Sequence, residues 1–129
     1  MNDDQPCRFP KTMRLLKQEE FDAVFADKVS CADHLLIVYA RKNGLAFSRL
    51  GLKVSKRNAG KRAVDRNCWK RLIREAFRLQ QHEIPFGMDL VVLPQKGRHP
   101  EFHAVCDSLR HLKKRLAIRL RNSNDLENS

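Results

Sequence analysis

The segment from residue 61 to residue 81 constrains the fold of this chain most strongly, because its residues separate into two faces at helical spacing. One broad arc of this helix is apolar, and the opposite arc is polar and cationic. A helix with one apolar face has to cover a core, so the charged side is expected to remain outside. The apolar arc contains Cys68, Trp69, Leu72, Ile73, Ala76, Phe77 and Leu79; the cationic arc contains Asn67, Lys70, Arg71, Arg74 and Arg78, with Arg66 near the border.

The charge around this helix is strongly one-sided. Residues 49–78 contain 11 basic side chains and only two acidic ones, Asp65 and Glu75. The whole chain has a formal net charge of +11 and a pI near 10.0, a field that attracts polyanions. A solvated charged face is the simpler alternative, but the acids are too few to pair with the cations along the helix. The pattern therefore predicts a phosphate-binding stripe, in which arginine makes bidentate contacts.

The remaining periodicity predicts a mixed α+β chain. Residues 46–55 alternate as a strand, with Leu50 and Leu52 pointing one way and Arg49 and Lys53 the other, so we expect a sheet with one apolar face and one basic face. A turn is expected at Asn43-Gly44, and a loop at 56–60. The other predicted elements are a helix at 17–26, strands at 34–40 and 88–94, and a helix at 101–121.

The length predicts a single domain spanning residues 1–129, with its core at about 8–121. Residues 1–11 are expected to form a polar lead-in that Pro6 and Pro10 keep from being helical, and Pro85 is expected to break the chain. Residues 122–129 are polar and are predicted to be a disordered tail.

Three aromatic residues suggest a second binding surface. Phe21 and Phe25 lie at i and i+4 on the predicted first helix, and Tyr39 lies on the first predicted strand. Their rings are suited to stacking with unpaired bases, while Arg49 and Lys53 attract the backbone of a single strand. The alternative is that both phenylalanines pin the helix to the core, and spacing alone favours this alternative.

Other classes of chemistry find little support. No catalytic constellation or glycine-rich phosphate loop is present. No apolar run approaches a membrane span, and the polar N-terminus has no signal peptide, so we expect a cytoplasmic protein with no membrane partner. No metal site is expected: the cysteines Cys7, Cys31, Cys68 and Cys106 form no C-x-x-C pair, and the histidines His99, His103 and His111 beside Cys106 are interpreted as exposed polar residues.

The run from Gly60 to Arg78, GKRAVDRNCWKRLIREAFR, resembles the signature helix of the bacterial ribonuclease P protein subunit. Further similar pieces extend the resemblance over roughly residues 8–120. These pieces are Phe9-Pro10, Arg14-Leu15-Leu16-Lys17, Phe21 with Phe25, Leu50 to Lys56, and Asp89 to Val92.

The resemblance implies a function. A member of this family is the protein subunit of an endoribonuclease that removes the 5′ leader from precursor transfer RNA, with catalysis carried by an RNA subunit and Mg²⁺. The protein itself is expected to bind no cofactor and to act as a monomer in a 1:1 ribonucleoprotein. The implied RNA-subunit contacts are Lys56, Arg57, Lys61, Arg62, Arg66, Asn67, Lys70, Arg71, Arg74 and Arg78; the implied leader contacts are Phe21, Phe25, Tyr39, Arg49 and Lys53.

The resemblance also implies a fold, a two-layer α/β sandwich similar to a ribosomal-protein domain. It implies about four strands, three helices and a left-handed βαβ crossover, against the general rule. One residue departs from the family pattern: Cys68 replaces the second arginine of Arg-Asn-Arg, and its helical angle beside Leu72 predicts that it is packed rather than touching RNA. A structural ribosomal or RNA-chaperone protein remains the alternative, and a stand-alone nuclease is a third hypothesis.

Overall fold

The computed structural model describes residues 11–83 and 86–127, and these form a mixed α+β fold. The predicted lead-in at residues 1–10, the break at Pro85 and the end of the tail at residues 128–129 lie outside the described residues. After a single 3₁₀ turn at Lys11–Met13, the elements are α1 (Gln18–Ala26), β1 (Ser30–Ala32), β2 (Leu36–Lys42), β3 (Arg49–Leu52), α2 (Lys56–Ala59), α3 (Ala63–Leu79), β4 (Met88–Pro94) and α4 (Phe102–Glu127).

The four strands form one sheet in the order β1-β2-β4-β3. β1 pairs antiparallel with β2, and β2 pairs antiparallel with β4 from Leu36 opposite Pro94 to Lys42 opposite Met88. β3 pairs parallel with β4, so the chain has to cross over between them, and α3 lies in that connection. The left-handed sense implied for this crossover stays a prediction.

Helices cover both faces of the sheet. α3 and α4 enclose the main core on one face, where Val38, Ile73 and Leu109 are fully buried. On the other face, α1 covers a smaller apolar cluster of Leu15, Val24 and Val91. The expectation of one apolar and one basic face was therefore wrong, because β4 places Val91 and Leu93 on the second face, in the cluster that α1 covers.

Several element boundaries differ from the predictions. The loop expected at 56–60 contains the short helix α2, which raises the number of helices to four among the described residues. The pattern missed β1, which is only three residues long and has no apolar alternation. Gly44 adopts φ 74°, as expected for the turn, yet β2 and β3 do not pair because β4 lies between them. The last helix continues past residue 121 to Glu127, into the segment predicted to be a disordered tail.

Candidate nucleic-acid interface

The two faces predicted for α3 are largely confirmed. Trp69, Ile73, Ala76 and Phe77 are at most 1% exposed and face the sheet and α4. This packing fixes the rotation of the helix, so the opposite side has to face solvent. We call that side the α3 stripe and define it as Asn67, Lys70, Arg71 and Arg74; Lys70 is half-buried and the other three are exposed.

The apolar arc of α3 is narrower than predicted, and two residues were misplaced. Leu79 is 51% exposed and lies outside the core. Cys68 is half-buried but does not join the core; it lines a surface depression with Val64, Asn67 and Arg71. Cys68 is therefore not packed into the core as predicted, since the helix buries only the side that faces the sheet and α4, while its lack of contact with RNA stays a prediction.

Arg78 lies at the C-terminal end of the predicted cationic arc but is engaged within the protein. Its Nε donates to Oε1 of Glu75 at 3.1 Å, and its Nη2 also binds that carboxylate. The guanidinium lowers the pKa of the Glu75 carboxyl, chiefly through this hydrogen bond. Arg78 is only 19% exposed at its side chain, so it offers less of its charge to a ligand than Arg71 or Arg74.

The residues before α3 form a basic corner. Ser55 and Asn58 shape α2, because the Asn58 side chain accepts a hydrogen bond from the Ser55 N–H at 2.9 Å and donates to the Lys53 carbonyl at 2.8 Å. The predicted contacts Lys56, Arg57, Lys61 and Arg62 are exposed around this short helix and the start of α3. Within the described ranges, Arg62 is the one of these four with an ion pair, a 3.8 Å contact with the partly exposed Asp65.

Arg66, on α3, forms hydrogen bonds with the backbone of the basic corner. Its Nη1 donates hydrogen bonds to the carbonyl oxygens of Gly60 at 3.0 Å and Lys61 at 2.7 Å. These bonds hold the α2–α3 connection against the helix. Arg66 therefore has a structural role in positioning the basic corner, alongside its predicted contact with RNA.

The aromatic residues lie together between α1 and the sheet. Phe25 and Tyr39 pack edge to face, with ring centroids 4.8 Å apart, and Lys53 Nζ lies 5.9 Å from the centre of the Phe21 ring. Gly51 makes room for Phe21, since a Cβ at this position would come 2.8 Å from two atoms of that ring. All three rings are half-buried against the smaller apolar cluster. They pin α1 and also remain partly exposed, so the two interpretations of these residues are compatible.

Arg49 was grouped with these aromatic residues, but its guanidinium is held by two carboxylates. It donates to Asp89 through Nε at 2.8 Å and Nη2 at 2.7 Å, and to Glu20 through Nη1 at 3.2 Å. The hydrogen bond with Asp89 is the main cause of the raised pKa of Arg49. This side chain links α1, β3 and β4, which is a structural role alongside the predicted leader contact.

Sequence reasoning missed two cations beside the predicted site. Arg14 lines a pocket of about 210 Å³ together with Phe21, Lys70 and Arg74, where the aromatic surface meets the α3 stripe. Partial burial, and then the charge of Arg14, lower the pKa of Arg74.

Arg98 lines a second pocket of about 210 Å³, with Gly60 and Asp65 from the basic corner. Residues 95–100 include Lys96 and Arg98 in the sequence, but the position of this segment beside α2 depends on the fold.

Among the described residues there is neither a candidate metal site nor a candidate membrane span. His99, His103 and His111 are exposed, as interpreted from the sequence. In this part of the chain no three His, Cys, Asp or Glu residues are placed to hold a metal ion, and no helix is long and apolar enough to cross a membrane.

The chain is similar to known proteins in both sequence and structure. The family model described as Ribonuclease P matches residues 9–117. The "Ribonuclease P protein component" of Escherichia coli (strain K12 / DH10B) is 44% identical over 89 residues, which cover 69% of this chain and 73% of the relative. The structure of the Staphylococcus aureus RNase P protein superposes with a TM-score of 0.70 at 30% identity, covering 81% of this chain and 94% of that one. The RNase P protein from Thermotoga maritima gives a TM-score of 0.68 at 34% identity, covering 78% and 96%.

Proposed function

The chain belongs to the ribonuclease P protein family, and from this premise we propose which of its surfaces bind the RNA subunit and the precursor transfer RNA. As a protein component of ribonuclease P, it acts with an RNA subunit in the 5′ processing of transfer RNA. The holoenzyme is an endoribonuclease in which the RNA carries catalysis. The alternative of a ribosomal or RNA-chaperone protein is not favoured.

We propose that the RNA subunit binds the α3 stripe and the basic corner before it. The observation that carries this proposal is the absence of carboxylate partners along the stripe: within the described residues, no ion pair involves Lys70, Arg71 or Arg74. Phosphates are the natural counter-charges for such a surface. The proposed contacts are Lys56, Arg57, Lys61, Arg62, Arg66, Asn67, Lys70, Arg71 and Arg74, with a smaller contribution from Arg78.

The precursor transfer RNA is the proposed substrate, and its single-stranded leader is proposed to lie along the half-buried aromatic rings. Phe21, Phe25 and Tyr39 offer partly exposed π-faces, and Lys53 sits above the Phe21 ring to neutralise a passing phosphate. Arg49 contributes mainly by holding α1 against the sheet. The pocket lined by Arg14, Lys70 and Arg74 joins this surface to the α3 stripe.

We further propose a 1:1 assembly with the RNA subunit in the cytoplasm. We also propose that the Mg²⁺ of the reaction is held by the RNA subunit, as the family resemblance implies. Within the described residues no group of three or more His, Cys, Asp or Glu residues is placed to hold a metal ion.

The decisive experiment measures cleavage of a labelled precursor transfer RNA by the RNA subunit, with and without this protein, at low Mg²⁺. The protein is expected to stimulate cleavage, and the holoenzyme is expected to bind leader-bearing precursor more tightly than mature transfer RNA. Equal affinity for both RNAs would contradict the leader proposal, and an absence of stimulation would contradict the subunit role.

A further inference from the structure

The outer face of α4 carries a second group of cations that the proposed function does not use. Lys114, Arg115, Arg119 and Arg121 are exposed on this helix. They face outward because the opposite side of the helix is anchored in the main core. That anchoring side consists of Val105, Leu109, Leu112, Leu116 and Leu120, which are all buried.

Acidic residues are few in the part of the helix that carries these cations. The sequence has no Asp or Glu between Asp107 and Asp125. Among the side chains that the structure describes, which end at residue 121, no carboxylate lies within ion-pair distance of Lys114 or Arg115. A helix face that serves only solubility commonly mixes charges of both signs, whereas basic side chains predominate on this face from Lys114 to Arg121.

The α4 face is separated from the α3 stripe. At the C-terminal end of α3, Arg78 binds Glu75; just beyond it, Glu83 binds Arg110 of α4 at 3.0 Å and 3.2 Å. Arg78 and Arg110, which lie where the two helices meet, are thus each paired with a carboxylate within the protein. The aromatic surface is farther away still, since α1 and α4 pack on opposite faces of the sheet.

We propose that Lys114, Arg115, Arg119 and Arg121 form a second phosphate-binding surface, which contacts RNA backbone away from the α3 stripe and the leader surface. Arg119 is oriented by the sheet, because its Nη1 donates to the carbonyl of Ser30 on β1. From Lys114 to Arg121 the helix advances about 10 Å, enough to meet two or more phosphates. This inference rests on the proposed function, and the backbone belongs either to the RNA subunit or to the precursor transfer RNA.

The test uses a triple variant, Lys114→Gln, Arg115→Gln and Arg121→Gln, in the full chain. All three side chains are exposed, so the fold should persist, which the far-ultraviolet circular dichroism and the emission of the single buried Trp69 will verify. Binding is measured over a range of monovalent salt. The magnitude of the slope of log K against log salt should fall by about two to three, because three contacts are lost and each removes a little less than one.

Two matched variants distinguish an effect of charge on the salt slope from an effect of surface shape. Ile118→Gln alters the same exposed face without removing a charge and should leave the slope unchanged. A charge-conserving triple variant, Lys114→Arg, Arg115→Lys and Arg121→Lys, should retain most of the slope. An equal loss in Ile118→Gln would overturn the proposal, because the effect would then come from surface shape rather than from charge.

Two binding reactions distinguish the sources of the phosphate. The first titrates the RNA subunit with protein, and the second titrates the assembled holoenzyme with precursor transfer RNA. A reduced slope in the first reaction assigns the surface to the RNA subunit, and a reduced slope in the second assigns it to the precursor. Unchanged slopes in both overturn the inference, while the response of Arg71→Ala in the same assay reports separately on the α3 stripe.

Discussion

Lys113 is the only buried cation among the described residues, and it lies against the end of α3. Its side chain is on α4 and is 3% exposed. Its Nζ lies 3.4 Å from the carbonyl oxygen of Gln80 and 6.0 Å from the centre of the Phe77 ring. A cation near a helix C-terminus is favourable, but burial dominates here and lowers the pKa of Lys113 from 10.5 to about 8.

This lowered pKa predicts a definite pH dependence of stability. Below about pH 8, both the folded and the unfolded chain carry the charge, so folding bears the whole cost of burying it. Between about pH 8 and pH 10.5, the folded chain releases its proton before the unfolded chain does, and the free energy of unfolding rises with pH. The shift corresponds to roughly 3 kcal/mol.

Replacing Lys113 with Met removes this dependence. At pH 7 the variant should gain about 2 kcal/mol in the free energy of unfolding, because the cost of the buried charge disappears and about 1 kcal/mol is lost with the contact to the Gln80 carbonyl. Near pH 10.5 the advantage should vanish, since the wild-type lysine is then neutral when folded.

The assay is urea unfolding followed by the emission of Trp69, which is the only tryptophan and is fully buried. Comparing Lys113→Met with wild type at each pH cancels the titration of the other groups. Lys114→Met serves as the control, since its side chain is exposed and its removal should not alter the pH dependence. Parallel stability curves for wild type and Lys113→Met would refute the reasoning.

Three further predictions concern the proposed RNA surfaces. Arg71→Ala should weaken binding of the RNA subunit and reduce the salt slope by about one, whereas Arg78→Ala should change it less because Glu75 already holds that charge; equal effects in a filter-binding titration would count against the pairing argument. Gly51→Ala should displace the Phe21 ring, destabilise the chain by about 1 kcal/mol and reduce the preference for leader-bearing precursor, while binding of the RNA subunit persists. Asp89→Ala should leave Arg49 without its main partner and lower the free energy of unfolding by about 2 kcal/mol; a denaturant midpoint equal to that of wild type would contradict this role.

Much of the candidate site could be predicted from local pattern. The division of α3 into a core side and a cationic side follows from 3.6-residue periodicity, and Trp69, Ile73 and Phe77 are buried as expected. The wrong predictions concern residues at the border of the apolar arc of α3. Cys68 and Leu79 have helical angles that border the apolar arc, and only the position of the neighbouring sheet and α4 decides whether such residues are covered.

The sequence by itself determined where the positive charge concentrates and which helix presents it, because both depend on residues close together in the chain. The tertiary structure decided which of these cations are paired within the protein and which can bind a ligand. Arg49 meets Asp89, 40 positions later, only because β3 pairs in parallel with β4. Arg14 joins Arg74 at one pocket because the segment before α1 runs beside β3. Contacts between distant segments depend on strand order and helix packing, which local periodicity does not encode.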